Sequence, residues 1–196
     1  MAKPAQVLTL PLFPLRTVLF PGGLLPLRIF EPRYVDMVGR CMREGGSFGV
    51  ILIGAGAEVG AVASLATVGC SARIIDFEKL PDGLLGLLCR GEQRFRLLKH
   101  STQADGLHLG EVEWYPIAPA TPVAAAHQPL VTILRRVIPE LGKLTVHLTP
   151  DYDNADWVSN RFAEFLPLDT AVRQRLLEMD DPSERLLAIT PMIKTD

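Results

Sequence analysis

LPLFPLRTVLFPGGLLPLRIFEPRYVDMV, residues 10–38, is the stretch that decides the fold. Most of it consists of short apolar runs broken by proline and glycine, a pattern typical of strands joined by tight turns. From Glu31 to Glu44 the pattern changes to a helical period, and Pro32 suits the first turn of a helix. We therefore predict strands followed by one helix; the predicted strands are VLTL, TVLF and LLPLRIF.

The strand pattern continues to about Tyr115. Its clearest turn is EKLPDGLLG, in which Pro81 fixes φ, Asp82 supplies an Asx-type turn and Gly83 tolerates a positive φ. The N-terminal part, residues 1–117, is therefore predicted to be a β-rich domain. Its further predicted strands are FGVILI, SARIIDF, LLGLLCRG, RFRLLKH and HLGEVEWY.

A proline-rich segment at residues 115–129 leads into a helical pattern. Thr121 and Pro122 predict the start of a helix to about Leu141, kinked at Pro129. Further helices are predicted over residues 154–166, after Asp169 and after Asp181. Residues 118–196 are therefore predicted to form a small α-helical bundle.

The composition predicts a soluble globular protein. The chain has 196 residues, 48% of them hydrophobic, and a net charge of −2, which disfavours a polyanionic partner such as a nucleic acid. The three cysteines lie far apart and read as small buried residues in a reducing compartment. No run has the composition of a membrane span, so we expect a cytoplasmic protein.

One stretch imitates a nucleotide-binding site. FGVILIGAGAEVG places Gly54, Gly56 and Gly60 after a strand, with Asp76 or Glu78 downstream where a ribose-binding acid belongs. The glycine spacing is one residue too long, and a Pro-Asp-Gly hairpin follows where a second crossover helix is required. We interpret the glycines as a loop between two strands.

Catalytic patterns are otherwise weak. Gly45 to Gly49 satisfies G-x-S-x-G, but the order there is helix, serine, strand rather than strand, serine, helix. The four histidines show no metal-ligand spacing, and no P-loop motif occurs. We therefore predict no catalytic residue, no metal and no cofactor.

Three blocks of the sequence together resemble one known family, the N-terminal substrate-binding domain of Lon proteases. They are residues 10–38, then VGCSARIIDFEKLPDGLLGLLCRGEQRFRLL at 68–98, then NRFAEFLPLDTAVRQRLLEMDDPSERL at 160–186. The resemblance implies an α+β fold, in which a PUA-like six-stranded β-pseudobarrel is followed by a small helical bundle. It also implies a stand-alone, non-enzymatic protein, because the ATPase and peptidase parts of a full Lon protease are absent from the sequence.

The resemblance further implies recognition of unfolded or extended polypeptide segments, as an adaptor or quality-control factor. A full-length ATP-dependent protease is an implied partner, and homo-oligomers are compatible with the family. The corner FEPRY could line a groove for such segments, and the candidate substrate-binding residues are Glu31, Arg33, Tyr34 and Arg28. Phe30 is interpreted as a core residue.

Two other functions stay open at this point. PUA-like barrels can bind RNA, which would appear as a salt-dependent affinity. A nucleotide-binding enzyme using the loop from Gly54 to Gly60 would be stabilised against heat by NAD or NADP.

Overall fold

Six β-strands form the N-terminal part of the chain. The computed structural model describes residues 7–56, 62–117, 119–142 and 145–193. Gly60 of the glycine loop lies outside these ranges. The strands are β1 Val7–Leu15, β2 Leu24–Ile29, β3 Phe48–Gly56, β4 Val62–Lys79, β5 Leu85–Thr102 and β6 His108–Trp114.

The strands form one mixed sheet that closes on itself. Their order is β2-β5-β4-β3-β1-β6, and β6 also pairs with β5. Closure is achieved by the length of β5: its first half pairs with β2 and its second half with β6. β1 and β3 are parallel, and the other pairs are antiparallel. The barrel therefore leaves β2 as a short additional strand at one side.

Helix α1, Pro32–Glu44, covers one face of the part of the sheet formed by β2, β5 and β4. Proline in its first turn costs no hydrogen bond, because the first N–H groups of a helix have no partner within it. The helix buries Tyr34, Met37, Val38 and Cys41, which pack with strand residues such as Leu87 and Cys89.

Four helices form the C-terminal bundle. The side chain of Asn154 caps the second of these helices by accepting a hydrogen bond from Asp156 N–H, and that of Asp181 caps the fourth by accepting one from Ser183 N–H. The bounds are α2 Gln128–Glu140, α3 Ala155–Phe165, α4 Thr170–Glu178 and α5 Pro182–Ile189.

The barrel and the bundle share one hydrophobic cluster. Val18, Phe20 and Val68 of the β-rich part are buried together with residues of all four bundle helices. Polar side chains cross the same boundary: Arg161 donates to Pro21 O over 2.8 Å, and Gln174 donates to Val68 O over 3.0 Å. The predicted boundary between residues 117 and 118 stays a prediction.

The structure corrects three predicted elements. TVLF, residues 17–20, is not a strand; it is apolar because Val18, Leu19 and Phe20 are buried beneath the sheet. The two strands predicted within residues 84–100 are one continuous strand, β5. The helix predicted from Thr121 begins at Gln128, because Pro122 forms a β-bridge with Asn154 and Pro129 lies in the first turn of α2.

The predicted α+β class, with a six-stranded β-pseudobarrel and a helical bundle, is confirmed. None of the helices in the described ranges has the length and apolarity needed to cross a bilayer.

Candidate functional site

The part of the sheet formed by β2, β5 and β4 has an open groove on the face opposite α1. Strand pairing places Pro26, Leu88 and Asp76 in one row across β2, β5 and β4, and Arg28, Gly86 and Glu78 in the next. Since side chains alternate between the two faces of a strand, these six residues face away from α1. We call this surface the β2–β5–β4 groove. It encloses about 800 Å³ and is lined by Pro26, Leu27, Arg28, Asp76, Phe77, Glu78, Leu80, Pro81, Asp82, Gly86, Leu87 and Leu88.

The walls of the groove are largely apolar. Phe77 borders it and is 57% exposed, but it lies in register with Leu87, so its side chain points to the α1 side of the sheet. Leu80 leans over Gly86, where an added Cβ would lie only 3.0 Å from the Leu80 Cδ2 atom. Leu88 and Pro26 lie side by side in the register between β5 and β2. The groove can therefore accept apolar side chains.

The predicted Pro81-Asp82-Gly83 hairpin forms one end of the groove. Leu80 N–H donates to Leu84 O over 2.9 Å, and Gly83 adopts a φ of +84° that side chains disfavour. Asp82 accepts from Leu84 N–H and also forms an ion pair with Arg28. The turn thus holds a carboxylate beside β2 and determines where Arg28 points.

Edge pairing offers a second route to binding. β2 is the first strand in the sheet order and, within the described residues, pairs only with β5. Its outer edge therefore presents unpaired backbone groups, which an extended peptide can use by strand addition.

The four predicted site residues do not form one cluster. Arg28 lines the groove, with 64% of its side chain exposed. Arg33 instead pairs with Glu31 at 2.7 Å and donates to Gly106 O over 2.7 Å. Tyr34 is 3% exposed, and its ring stacks on Phe13 with 4.0 Å between centroids.

These contacts identify the corner as a junction that fixes the start of α1 against the β5–β6 turn. The interpretation of Phe30 as a core residue is wrong: the side chain is 57% exposed. It directly follows β2, and no core packing explains it among the described residues.

Sequence reasoning missed Leu88, Asp76 and Glu78 as candidate site residues. The alternating pattern of SARIIDFEK carried a usable signal for the two acids, because a half-buried strand turns every second residue outward. A bulge between Ile74 and Asp76 shifts that alternation, and only the structure reveals the shift.

The strongly perturbed ionisable groups lie away from the groove. Burial raises the pKa of Glu164 to about 7, although Arg161 at 3.1 Å opposes the shift. Burial also raises the pKa of Cys89 to about 12 and lowers the pKa of His108, whose charge is further disfavoured by Arg33. These groups are structural and point to no acid–base pair at the groove.

The glycine loop does not have the geometry of a dinucleotide-binding turn. β3 and β4 are antiparallel neighbours, with Gly56 opposite Val62, whereas the fingerprint requires a helix directly after the first strand. Across the described ranges, no three His, Cys, Asp or Glu side chains lie close enough together to hold a metal ion.

Comparisons with known proteins agree on one family. Residues 9–195 match the model of the ATP-dependent protease La (LON) substrate-binding domain. A solved structure described as the Lon N-terminal domain protein from Xanthomonas campestris is 38% identical, covers 95% of this chain and 99% of its own, and superposes with a TM-score of 0.79. The N-terminal domain of Lon protease from the Mycobacterium avium complex shares the fold at 19% identity, with a TM-score of 0.65 and coverage of 93% and 96%.

Curated relatives are longer than this chain. Lon protease of Xanthomonas oryzae is 28% identical over 96% of this chain, which spans 23% of that protein. Lon protease of Escherichia coli K12 is 26% identical over 98% of this chain and 25% of its own length. The chain thus spans about a quarter of the relatives it matches. It belongs to the family of the ATP-dependent protease La (LON) substrate-binding domain.

Proposed function

We propose that this protein is a non-catalytic binding module for unfolded or extended polypeptide segments, and that it holds them in the β2–β5–β4 groove. One observation carries the proposal: a sheet face left open to solvent forms an apolar groove of about 800 Å³ next to a free strand edge. Extended peptides bind such places through backbone hydrogen bonds to the edge and side-chain contacts in the groove. The name of the matching family supports the same role.

Within this proposal, the predicted site residues have two different tasks. Arg28 contacts the bound segment, because it is exposed and borders the groove. Glu31, Arg33 and Tyr34 act indirectly, by fixing α1 against the sheet that carries the groove. A role as an adaptor in the cytoplasm, alone or with a full-length ATP-dependent protease, follows from the relatives and is part of the proposal.

The test is a fluorescence anisotropy titration of a labelled, permanently unfolded polypeptide without ATP. We expect saturable binding in the micromolar range and no binding of the same polypeptide in its folded form. Leu88→Ala should weaken binding about tenfold, because it removes an apolar contact on the groove-facing side of β5.

Leu187→Ala is the matched control. Leu187 is a large, exposed apolar residue on α5, outside the groove, so this variant should bind like the wild type. If no unfolded polypeptide binds at tens of micromolar, the proposal is wrong. If Leu88→Ala and Leu187→Ala behave alike, the groove is not the site.

RNA binding is the weaker alternative. The ionisable side chains that line the groove are Arg28 and three carboxylates, which would repel a phosphate backbone. A salt-dependent affinity for RNA would support RNA binding instead.

A further inference from the structure

We propose that the β2–β5–β4 groove selects segments that combine apolar side chains with lysine or arginine and carry net positive charge. This inference rests on the proposed function and specifies which unfolded segments the groove prefers.

The charge of the groove is unbalanced. Arg28 is the one cation among its described lining residues, and Asp76, Glu78 and Asp82 are the three carboxylates. Arg28 is already paired with Asp82. Asp76 and Glu78 form no ion pair within the described part of the chain, and both are exposed.

The nearest arginines on the neighbouring strands are already engaged. Arg73 precedes Asp76 on β4 and pairs with Glu92, while Arg90 follows Leu88 on β5 and donates to His147 O over 2.7 Å. Neither lines the groove. Lys79, next to Glu78, does not line the groove either. A bound segment can therefore supply the cation that neutralises Asp76 and Glu78.

The spacing of the two acids matches that of an extended chain. Asp76 and Glu78 are two residues apart on β4, and their partners on β5, Leu88 and Gly86, are also two apart, so both acids face the groove. Two strand residues span about 6.6 Å, the distance between alternate side chains of any extended peptide. A segment lying on the open sheet face above β4, rather than along the β2 edge, can thus place cations at positions i and i+2 over the two acids.

The apolar walls determine what accompanies these cations. Leu80, Leu88 and Pro26 line the same groove as the acids, so an apolar side chain of the segment lies close to its basic ones. Lysine and arginine also cover apolar surface with their own aliphatic stems while the charged end reaches a carboxylate. Charge and apolar area therefore favour the same kind of segment.

Three labelled unfolded peptides test the inference. They have the same length and the same apolar residues, and they carry lysine, glutamine or glutamate at the polar positions. We expect the lysine peptide to bind about tenfold more tightly than the glutamate peptide in low salt, with the glutamine peptide between them. The difference should shrink in high salt, because the charges are exposed.

The double variant Asp76→Asn, Glu78→Gln should abolish the preference while leaving the glutamine peptide bound as before. Asparagine can still accept the hydrogen bond that Phe77 N–H donates to Asp76, which protects the fold. The control Glu140→Gln, Glu184→Gln makes the same change in net charge on exposed residues of α2 and α5, and it should keep the preference.

Two results would overturn the selectivity without affecting the proposed function. One is equal binding of the three peptides by the wild type, and the other is a lysine preference that survives in the groove double variant. If none of the three peptides binds at tens of micromolar, the proposed function fails together with the selectivity.

Discussion

At Gly91 the absence of a side chain lets β5 run directly against the chain that links β1 to β2. Gly22 N–H donates to Gly91 O over 2.8 Å, and Gly91 N–H donates to Gly23 O over 2.9 Å. A Cβ at Gly91 would overlap the carbonyl oxygen of Phe20, which is backbone and cannot rotate away. We expect Gly91→Ala to cost at least about 2 kcal/mol of the free energy of unfolding.

Urea denaturation measures this cost. The matched control is Gly46→Ala, because an added Cβ there meets its nearest atom at 4.0 Å and should change stability little. Equal midpoints for the two variants would contradict the close approach at Gly91.

Glu164 should make stability depend on pH. Its pKa is about 7 in the folded chain, against an ordinary value of 4.5 in an unfolded chain. Between these values the folded chain binds more protons, so the free energy of unfolding falls as the pH rises and levels off above about pH 7. The full effect is on the order of 3 kcal/mol, at about 1.4 kcal/mol for each unit of pKa.

Glu164→Gln should remove this slope. The lowered pKa of His108 makes stability rise with pH instead. The informative quantity is therefore the difference between the pH profiles of the wild type and Glu164→Gln, measured by urea denaturation from pH 5 to 8. Glu140→Gln changes an exposed carboxyl and should keep the wild-type slope. Parallel profiles for the wild type and Glu164→Gln would show that Glu164 does not titrate in this range.

The corner after β2 shows how far sequence could locate the site. FEPRY lies where a strand ends and a helix begins, and of the predicted site residues Arg28 borders the β2–β5–β4 groove. Sequence could not tell which side chains point inward, because the end of a strand fixes no periodicity. Tyr34 stacks on Phe13, more than twenty positions earlier, and that contact depends on the closed sheet.

At the scale of elements, Arg94 on β5 connects the barrel to the bundle. Its guanidinium donates to Leu177 O over 2.8 Å and to Met179 O over 3.1 Å, and it lies over the Tyr115 ring. Removing it takes the donor from Leu177 O in a largely buried place, while Met179 O keeps its hydrogen bond from Arg185, and the ion pair with Asp180 is lost. We expect Arg94→Ala to cost about 2–4 kcal/mol, since buried hydrogen bonds to charged groups are strong.

Arg94→Lys should recover little of this stability, because an ammonium group has no second nitrogen to hold Asp180 and no plane to stack on the Tyr115 ring. Arg96→Ala is the matched control: Arg96 lies on the same strand over the same ring, but it is exposed. Chemical denaturation of the three variants compares them, and similar losses for Arg94→Ala and Arg96→Ala would refute the connecting role.

The element errors share a physical origin. TVLF is apolar because it fills the core as irregular chain, and apolar character alone does not distinguish a strand from a buried connection. β5 was predicted as two strands because its Gly91 resembles a break, whereas glycine there permits the close approach to Phe20. The helices after Asn154, Asp169 and Asp181 were predicted correctly, because helix starts are encoded locally; Asn154 and Asp181 accept a capping hydrogen bond, and Asp169 occupies the cap position without one.

At the scale of the whole molecule, the shared hydrophobic cluster bears on the predicted boundary between residues 117 and 118. Phe20 and Val68 of the β-rich part are buried with Leu134, Trp157 and Leu177 of the bundle. Opening either part would expose apolar surface of the other, so we expect both to unfold in one cooperative transition.

The two tryptophans allow a direct test of this cooperativity. In Trp157→Phe, the remaining Trp114 lies on β6 and its fluorescence reports on the barrel. Circular dichroism at 222 nm of the same variant reports mainly on helices, most of which belong to the bundle. The two signals should give the same urea midpoint and the same slope, because both measure one transition. Barrel and bundle signals that separate along the urea axis would instead make residues 1–117 and 118–196 independent folding units, and the groove on the β-rich part would then not need the bundle.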